Sequence, residues 1–179
     1  EIEILIRAKY SILYMVSWEE RRVEDSLAKI CKGLNRTLHT WSVTQGMKPA
    51  VVRTSGPQKP TTLPAELEAL STIHESSEYT VFLLKDFHTY LKDYRVIRLL
   101  RDLSIRLKDR AQTIVLMGPV LSLPVELEKD ITVLDFGMPN QAEIGQCLDQ
   151  VVEAVKGDEK INAKLTKPQR ETLIKSAQG

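Results

Sequence analysis

Short apolar runs alternate with amphipathic segments along most of the chain. Five of the runs are rich in strand-forming residues and are typical of strands buried on both faces: Tyr10–Val16, Thr37–Val43, Tyr79–Leu84, Thr113–Met117 and Ile131–Phe136. Between these runs apolar residues recur at helical spacing, as at Val23, Leu27 and Ile30. This alternation predicts an α/β fold, with a five-stranded parallel sheet and helices on both of its faces.

Capping and turn residues divide the pattern further. The expected starts of helices are Ser17, Pro64, Asp93, Gln141 and Pro168. The segment Thr44–Leu63 contains proline, glycine and serine and is predicted to be a long loop. We expect residues 1–139 to form the α/β core and residues 140–179 to form C-terminal helices.

Bulk composition narrows the class of protein. The chain has 179 residues, of which 42% are apolar and 27% charged, the balance of an ordinary globular domain. Its formal net charge of +1 provides no global field toward nucleic acid or membrane, and no apolar run has the roughly 20 residues of a membrane helix. Cys31 and Cys147 stand far apart and the three histidines have no zinc spacing, which favours a reducing compartment. Both chain ends resemble cuts in a longer protein.

The stretch TVFLLKDFH, Thr80–His88, is the first candidate for chemistry. In P-loop ATPases a buried strand that ends in Asp helps to hold Mg²⁺ near the nucleotide, and Asp86 stands at such a strand end. Ligands of doubly wound sheets bind at the carboxyl ends of the strands. Any site is therefore expected among these segments: Ser17–Glu20, Val43–Met47, Lys85–His88 and Gly118–Val120.

The other parts of a nucleotide site are missing from the pattern. A P-loop reads G-x-x-x-x-G-K-[ST] directly after the first strand, because glycines let backbone N–H groups approach the phosphates. Here Ser17–Glu20 follows that strand, without glycine or lysine. Phe87 stands where an acid would polarise the attacking water, and Met117–Pro119 replaces a polar sensor. We therefore expect a degenerate P-loop-like core that lacks the P-loop and has no catalytic residue.

Several blocks of sequence together carry a resemblance to a known family. They are YSILYMVSWEE, LHTWSVTQGM, VFLLKDFHTYL, VIRLLRDL and LPVELEKDITVLDF. From about Glu1 to Leu148 the chain resembles the N-terminal half of an AAA ATPase family of cyanobacteria and plastids, where it is encoded as a hypothetical chloroplast reading frame. The segment Leu123–Leu148 is also similar to the stretch after the sensor strand of AAA ATPases, where a short turn leads to the last strand and the lid helix. This resemblance implies that residues 140–179 form part of a helical lid.

The resemblance has implications for the whole protein. It implies that ATP and Mg²⁺ bind only in a downstream AAA domain and that the present chain, with no cofactor of its own, is the degenerate partner of that domain. It also implies other subunits of a homo-oligomer as partners, a cytoplasmic or plastid stromal location, and a link to regulation of photosynthesis or inorganic carbon use. No catalytic residue is carried over, since the catalytic motifs of the family have no positions here.

Candidate ligand or interface residues are Trp18, Trp41, Gln45, Asp86 and His88. His88 stands near Asp86 at the active end of the sheet, and Trp41 with Gln45 at the end of the second strand has the chemistry to recognise a ligand or peptide. The alternative for each is ordinary packing or solvation, with a packing role favoured for Trp41. Basic residues in Lys92–Arg110 are interleaved with acids, which favours a solvated face or a protein interface over nucleic-acid binding.

Three functions remain open. The leading hypothesis is a non-catalytic interaction, assembly or regulatory domain of an AAA-type ATPase. The second is a small-ligand or weak nucleotide sensor that uses Asp86, His88, Trp18 and Trp41. The third, an enzyme of another type in the doubly wound class, has no positive feature in its support.

Overall fold

A computed structural model describes residues 1–50, 63–76, 79–156 and 165–177. The chain forms two compact units, Glu1–Phe136 and Gly137–Gly179. Residues 51–62, most of the predicted loop Thr44–Leu63, lie outside the described residues.

The first unit alternates strands with helices, as the apolar pattern predicts. Its strands are β1 Ile12–Val16, β2 Thr37–Ser42, β3 Gly46–Pro49, β4 Thr80–Lys85, β5 Thr113–Gly118 and β6 Ile131–Asp135. Its helices are α1 Ile2–Arg7, α2 Glu20–Gly33, α3 Ala65–Glu75 and α4 Tyr94–Arg110, with short 3₁₀ helices at Phe87–Tyr90 and Val125–Leu127. All five predicted strands are confirmed.

Over the described residues the sheet has six strands, in the order β3-β2-β4-β5-β1-β6, so the predicted count of five is wrong. The additional strand, β3, lies within the predicted loop and pairs antiparallel with β2, whereas the other neighbouring strands pair parallel. A tight turn joins the two: Gln45 N donates to Ser42 O at 3.1 Å and Gly46 has a φ of 64°. Because β3 is a short edge strand with Lys48 and Pro49, it carries no apolar run that could reveal it.

Each face of the sheet packs against its own helices. Alternate strand residues such as Leu13, Leu83 and Val115 are buried with α1 and α2, through residues that include Ile6 and Leu27. Their sequence neighbours point the other way and pack with α3 and α4. These strand residues include Tyr14, Phe82 and Leu116, and the helices contribute Leu70 and Leu100. This confirms the arrangement of a mostly parallel sheet covered by helices on both sides.

Two predicted helix starts have different outcomes. The Asp93 side chain accepts a hydrogen bond from Arg95 N at 2.8 Å and caps α4 as expected. Ser17 does not cap α2, because that helix begins three residues later with Glu19 at the cap position. The Ser17 Oγ instead accepts from Glu19 N at 3.1 Å, which tightens the turn between β1 and α2.

The second unit contains α5 Gln141–Val155 and α6 Lys167–Ser176. Asn140 forms a capping box with Glu143 at the start of α5. Arg170 of α6 holds the two helices together, since its guanidinium donates to Asp149 at 2.8 Å and to Gly145 O at 3.3 Å. The predicted division at residues 139 and 140 stays a prediction. Among the described residues, no helix combines the length and apolar character needed to cross a membrane.

Candidate functional site

The carboxyl ends of β1, β4 and β5 meet at one edge of the sheet. Ser17 N donates to Gly118 O at 3.0 Å and Asp86 N donates to Met117 O at 2.8 Å, so the three strand ends are joined beyond the regular ladder. They enclose a cleft of about 250 Å³, lined by Ser17, Trp18, Glu20, Lys85, Asp86, Met117 and Pro119. The structure thus brings two predicted candidates, Trp18 and Asp86, to the same cleft.

An ion-pair cluster forms one wall of this cleft. The Lys85 ammonium lies 2.8 Å from the Glu24 carboxylate and 3.3 Å from that of Glu20. Both acids belong to α2, and Glu20 lies in its first turn, where the helix dipole favours a negative charge. The side chain of Lys85 is only 19% exposed, which makes this pair less screened than an ordinary surface pair.

The same cluster determines the pKa of Lys85. Burial alone would lower that pKa, but the hydrogen bonds and charges of Glu24 and Glu20 outweigh burial and raise it above its ordinary value. The raised pKa contributes stability to the fold. This contribution is fully present below the pKa that Lys85 has in the unfolded chain, and it is lost as the pH rises through the pKa of Lys85 in the folded protein.

We expect Lys85→Met to lower the free energy of unfolding by about 1 kcal/mol at neutral pH, because it leaves two carboxylates facing each other without a cation. The difference from the wild type should shrink as the pH rises beyond the ordinary lysine value of 10.5. Urea unfolding of both proteins between neutral and strongly alkaline pH measures it. Burial raises the pKa of Cys31 to about 11 and also raises that of Tyr14, so these groups change the stability of both proteins at alkaline pH. The effect of Lys85 is therefore read from the difference between the wild type and the variant. A difference that stays constant with pH would show that Lys85 contributes by packing alone.

Asp86 is held by its backbone rather than by its side chain. Its φ of 53° and ψ of 25° lie in the left-handed region, which costs a non-glycine residue on the order of 1 kcal/mol. Asp86 O accepts from Thr89 Oγ1 at 3.0 Å, and the carboxylate makes no capping hydrogen bond to the 3₁₀ helix that follows. The side chain is exposed at the mouth of the cleft, where it is free to meet a ligand.

His88 packs against the end of β5. A Cβ added to Gly118 would stand 2.5 Å from His88 Nδ1, so the close approach of the ring depends on glycine at that position. Nδ1 is buried and has no hydrogen-bond partner among the described residues. His88 therefore lies next to the cleft but does not line it.

The remaining two candidates lie elsewhere. Trp41 is 2% exposed, and its ring packs against Phe87 and Tyr90 with centroids 5.3 and 6.0 Å away. Such burial leaves its indole no surface for a ligand, in agreement with the packing interpretation. Gln45 is exposed in the turn between β2 and β3.

A buried tyrosine positions the loop beyond β5. The Tyr14 hydroxyl donates to Val120 O at 2.7 Å and accepts from Ser122 N at 3.4 Å, while its ring is fully buried in the core. These bonds hold the segment after Pro119 against the end of the sheet. The segment presents Val120 and Leu121, which are 48% and 54% exposed.

Sequence reasoning missed the ion-pair cluster and the contact of His88 with Gly118. Glu24 and Lys85 are 61 residues apart, and no local spacing connects them. The one available signal was topological, because the start of α2 and the end of β4 both belong to the carboxyl edge of a parallel sheet.

The donor set at this edge does not suit a nucleotide phosphate. In a phosphate-binding loop the cation and the helix N-terminus face the anion. Here Glu20 and Glu24 already neutralise Lys85, and Glu20 places a negative charge at the helix N-terminus. Over the described part of the chain, no group of three or more His, Cys, Asp or Glu residues could hold a metal ion.

Three basic residues of α4 lie beside acids. Arg95 binds Asp93, Arg98 binds Asp102 and Arg101 lies 3.8 Å from Asp130. This mixed surface has the character that the interleaved sequence predicts.

Comparison with protein families gives a match over residues 1–136, to the model described as "SpoVK-like AAA ATPase, N-terminal domain". Among relatives, the chain is 33% identical over 183 residues to the protein of Trieres chinensis named "Uncharacterized AAA domain-containing protein ycf46", and 30% identical to the protein of that name from Guillardia theta. These alignments cover 100% of the chain but 34% of each relative. The chain thus spans about a third of the length of the relatives that it matches.

Solved structures with a similar fold include a DNA replication initiation factor, with a TM-score of 0.58 at 10% identity. Another is PCH-2 of C. elegans, with a TM-score of 0.56 at 15% identity. Each alignment covers 99% of the chain, and 55% and 56% of the two structures. At such low identity the likeness establishes the fold alone.

Proposed function

Because the chain belongs to the SpoVK-like AAA ATPase N-terminal domain family, whose model matches residues 1–136, we propose that it is a non-catalytic assembly or regulatory domain of a longer AAA-type ATPase. In this proposal ATP and Mg²⁺ bind in a further domain of the full-length protein, and the carboxyl edge of the present sheet contacts that domain or another subunit. The proposed location is the plastid stroma, or the cytoplasm if the protein is not in a plastid.

One observation carries the proposal. The strand end and helix N-terminus that a P-loop ATPase uses for phosphate are occupied by the cluster of Lys85, Glu20 and Glu24. A triphosphate would have to displace two carboxylates from their cation and then meet them as like charges. The short turn from Ser17 to Glu19 offers no glycine-rich backbone to compensate.

Titration of the 179-residue chain with ATP and Mg²⁺ by calorimetry tests the proposal. We expect no saturable heat at micromolar to millimolar nucleotide, for the wild type and for Asp86→Asn alike. Asn is the suitable replacement because it tolerates the left-handed backbone of Asp86 and removes only the charge. Saturable micromolar binding that Asp86→Asn abolishes would contradict the proposal.

That contradictory result would favour the second candidate, a small-ligand or weak nucleotide sensor. The cleft of about 250 Å³, with an exposed indole at its mouth, is the feature in support of this alternative. Trp18 is 80% exposed whereas Trp41 is buried, so a ligand in the cleft would change the fluorescence of one tryptophan and leave the other unchanged.

A further inference from the structure

The cleft is bordered by the Trp18 side chain, which the fold leaves in solvent. Trp18 is 80% exposed, and Val120 and Leu121 are each about half exposed. The hydrogen bond from Ser17 N to Gly118 O places Trp18 and Pro119 on adjacent segments, and both line the cleft. Trp18 thus adds an exposed indole to the cleft lining, and Val120 and Leu121 directly follow Pro119, which also lines it.

Negative charge predominates beside this indole. Glu20, Glu24 and Asp86 carry three negative charges, against the one positive charge of Lys85. Lys85 is already bound to two carboxylates and is 19% exposed, so it offers little to an incoming anion. Glu20 is 52% exposed and its contact to Lys85 is the longer one, which leaves that carboxylate able to accept a second cation.

We propose that this cleft docks an arginine-bearing loop or peptide segment of a partner protein. The guanidinium stacks on the Trp18 indole and binds the carboxylates of Asp86 and Glu20, while apolar neighbours of the arginine pack on Val120 and Leu121. This inference rests on the proposed function, because it gives the chemistry of the partner that an assembly domain would engage.

Arginine suits the cleft better than lysine or a phosphate group does. Its planar guanidinium stacks on an aromatic face and binds carboxylates through two parallel hydrogen bonds. A lysine ammonium is compact and strongly hydrated, so it gains less from the Trp18 face. A phosphate group, whether of nucleic acid or of lipid, meets a net negative charge here.

Both sides of the cleft are held in place before a partner arrives. The Asp86 backbone is fixed by its bond to Met117 O, and the loop with Val120 is fixed by the Tyr14 hydroxyl. A surface that is already ordered loses less conformational entropy when it binds. The 3₁₀ helix after Asp86 packs into the core through Phe87, which supports the same geometry.

The probe is the tripeptide acetyl-Leu-Arg-Leu-amide, and its control is the same peptide with citrulline in place of arginine. Citrulline keeps the planar shape and loses the charge. We expect the arginine peptide to produce a saturable change in Trp18 fluorescence at millimolar concentration, and the citrulline peptide to bind about tenfold more weakly. The buried Trp41 serves as an internal reference.

Variants locate the interaction. Asp86→Asn should weaken the arginine peptide about tenfold, whereas Asp109→Asn, which removes an exposed acid from α4, should leave its affinity unchanged. Equal affinity for the two peptides, or no saturable response to the arginine peptide, overturns the inference. The ATP titration is a separate readout: nucleotide binding would remove the non-catalytic function, and a failed peptide titration would remove only this partner chemistry.

Discussion

Replacing Trp41 with alanine is expected to lower the free energy of unfolding by about 3–5 kcal/mol, the range for the loss of a large buried aromatic side chain. The indole is 2% exposed and makes edge contacts with Phe87 and Tyr90 on the face covered by α3 and α4. Its removal would leave a cavity beneath the 3₁₀ helix Phe87–Tyr90, which a close-packed core fills only in part. Equilibrium unfolding in urea, followed by far-ultraviolet circular dichroism, measures the change.

Trp18→Ala is the matched control for this substitution. The same side chain is removed, but Trp18 is 80% exposed, so the free energy of unfolding should change by less than about 0.5 kcal/mol. A small effect at Trp41 would mean that its indole is not needed for packing and would return it to the set of ligand candidates. A large effect at Trp18 would show that its exposed indole stabilises the fold.

Gly118→Ala is expected to lower the free energy of unfolding by about 1–3 kcal/mol, the usual range for overpacking. The new methyl group would stand 2.5 Å from Nδ1 and 3.1 Å from Cε1 of His88, so the ring must move. Because the end of β5 and the start of the 3₁₀ helix are joined by Asp86 N to Met117 O, that movement should also disturb the cleft. Chemical denaturation measures the loss, and the arginine peptide titration reports on the cleft.

Two further variants separate overpacking from a backbone effect. Gly33→Ala, at the last residue of α2, has nothing within 4 Å of the added Cβ and should raise the free energy of unfolding by about 0.4–1 kcal/mol. Combining Gly118→Ala with His88→Ala should recover part of the lost stability, because the atoms that collide are then gone. If the double variant is as unstable as the sum of the two single variants, the clash with His88 is not the cause.

Apolar periodicity was enough to predict most of the fold. Strands such as β4 and β5 are continuous apolar runs because they are buried on both faces, and α4 shows its apolar stripe together with a capping Asp93. The edge strand β3 escaped prediction for the same physical reason. It is short, contains glycine and proline, and is stabilised by pairing with β2, so neither its length nor its pattern distinguishes it from a loop.

The candidate site was predicted in position but not in chemistry. The rule that ligands meet the carboxyl ends of parallel strands located Trp18 and Asp86, which do line one cleft. It could not show that Lys85 would be bound by Glu20 and Glu24, because that contact depends on how α2 packs against β4. Nor could it separate Trp41 from Trp18, since burial follows from the tertiary fold and both are strand-end tryptophans in sequence.

We expect the carboxyl edge of this sheet not to bind nucleotide phosphate. Amide ¹H–¹⁵N spectra of the labelled chain, recorded as ATP and Mg²⁺ are added to millimolar concentration, test it residue by residue. We predict that the amide resonances of Ser17–Glu20 and Lys85–His88 keep their chemical shifts throughout, because the ion-pair cluster occupies the phosphate position. Saturable chemical-shift changes of those resonances, centred on the start of α2 and the end of β4, would contradict this expectation and show that nucleotide binds at this edge.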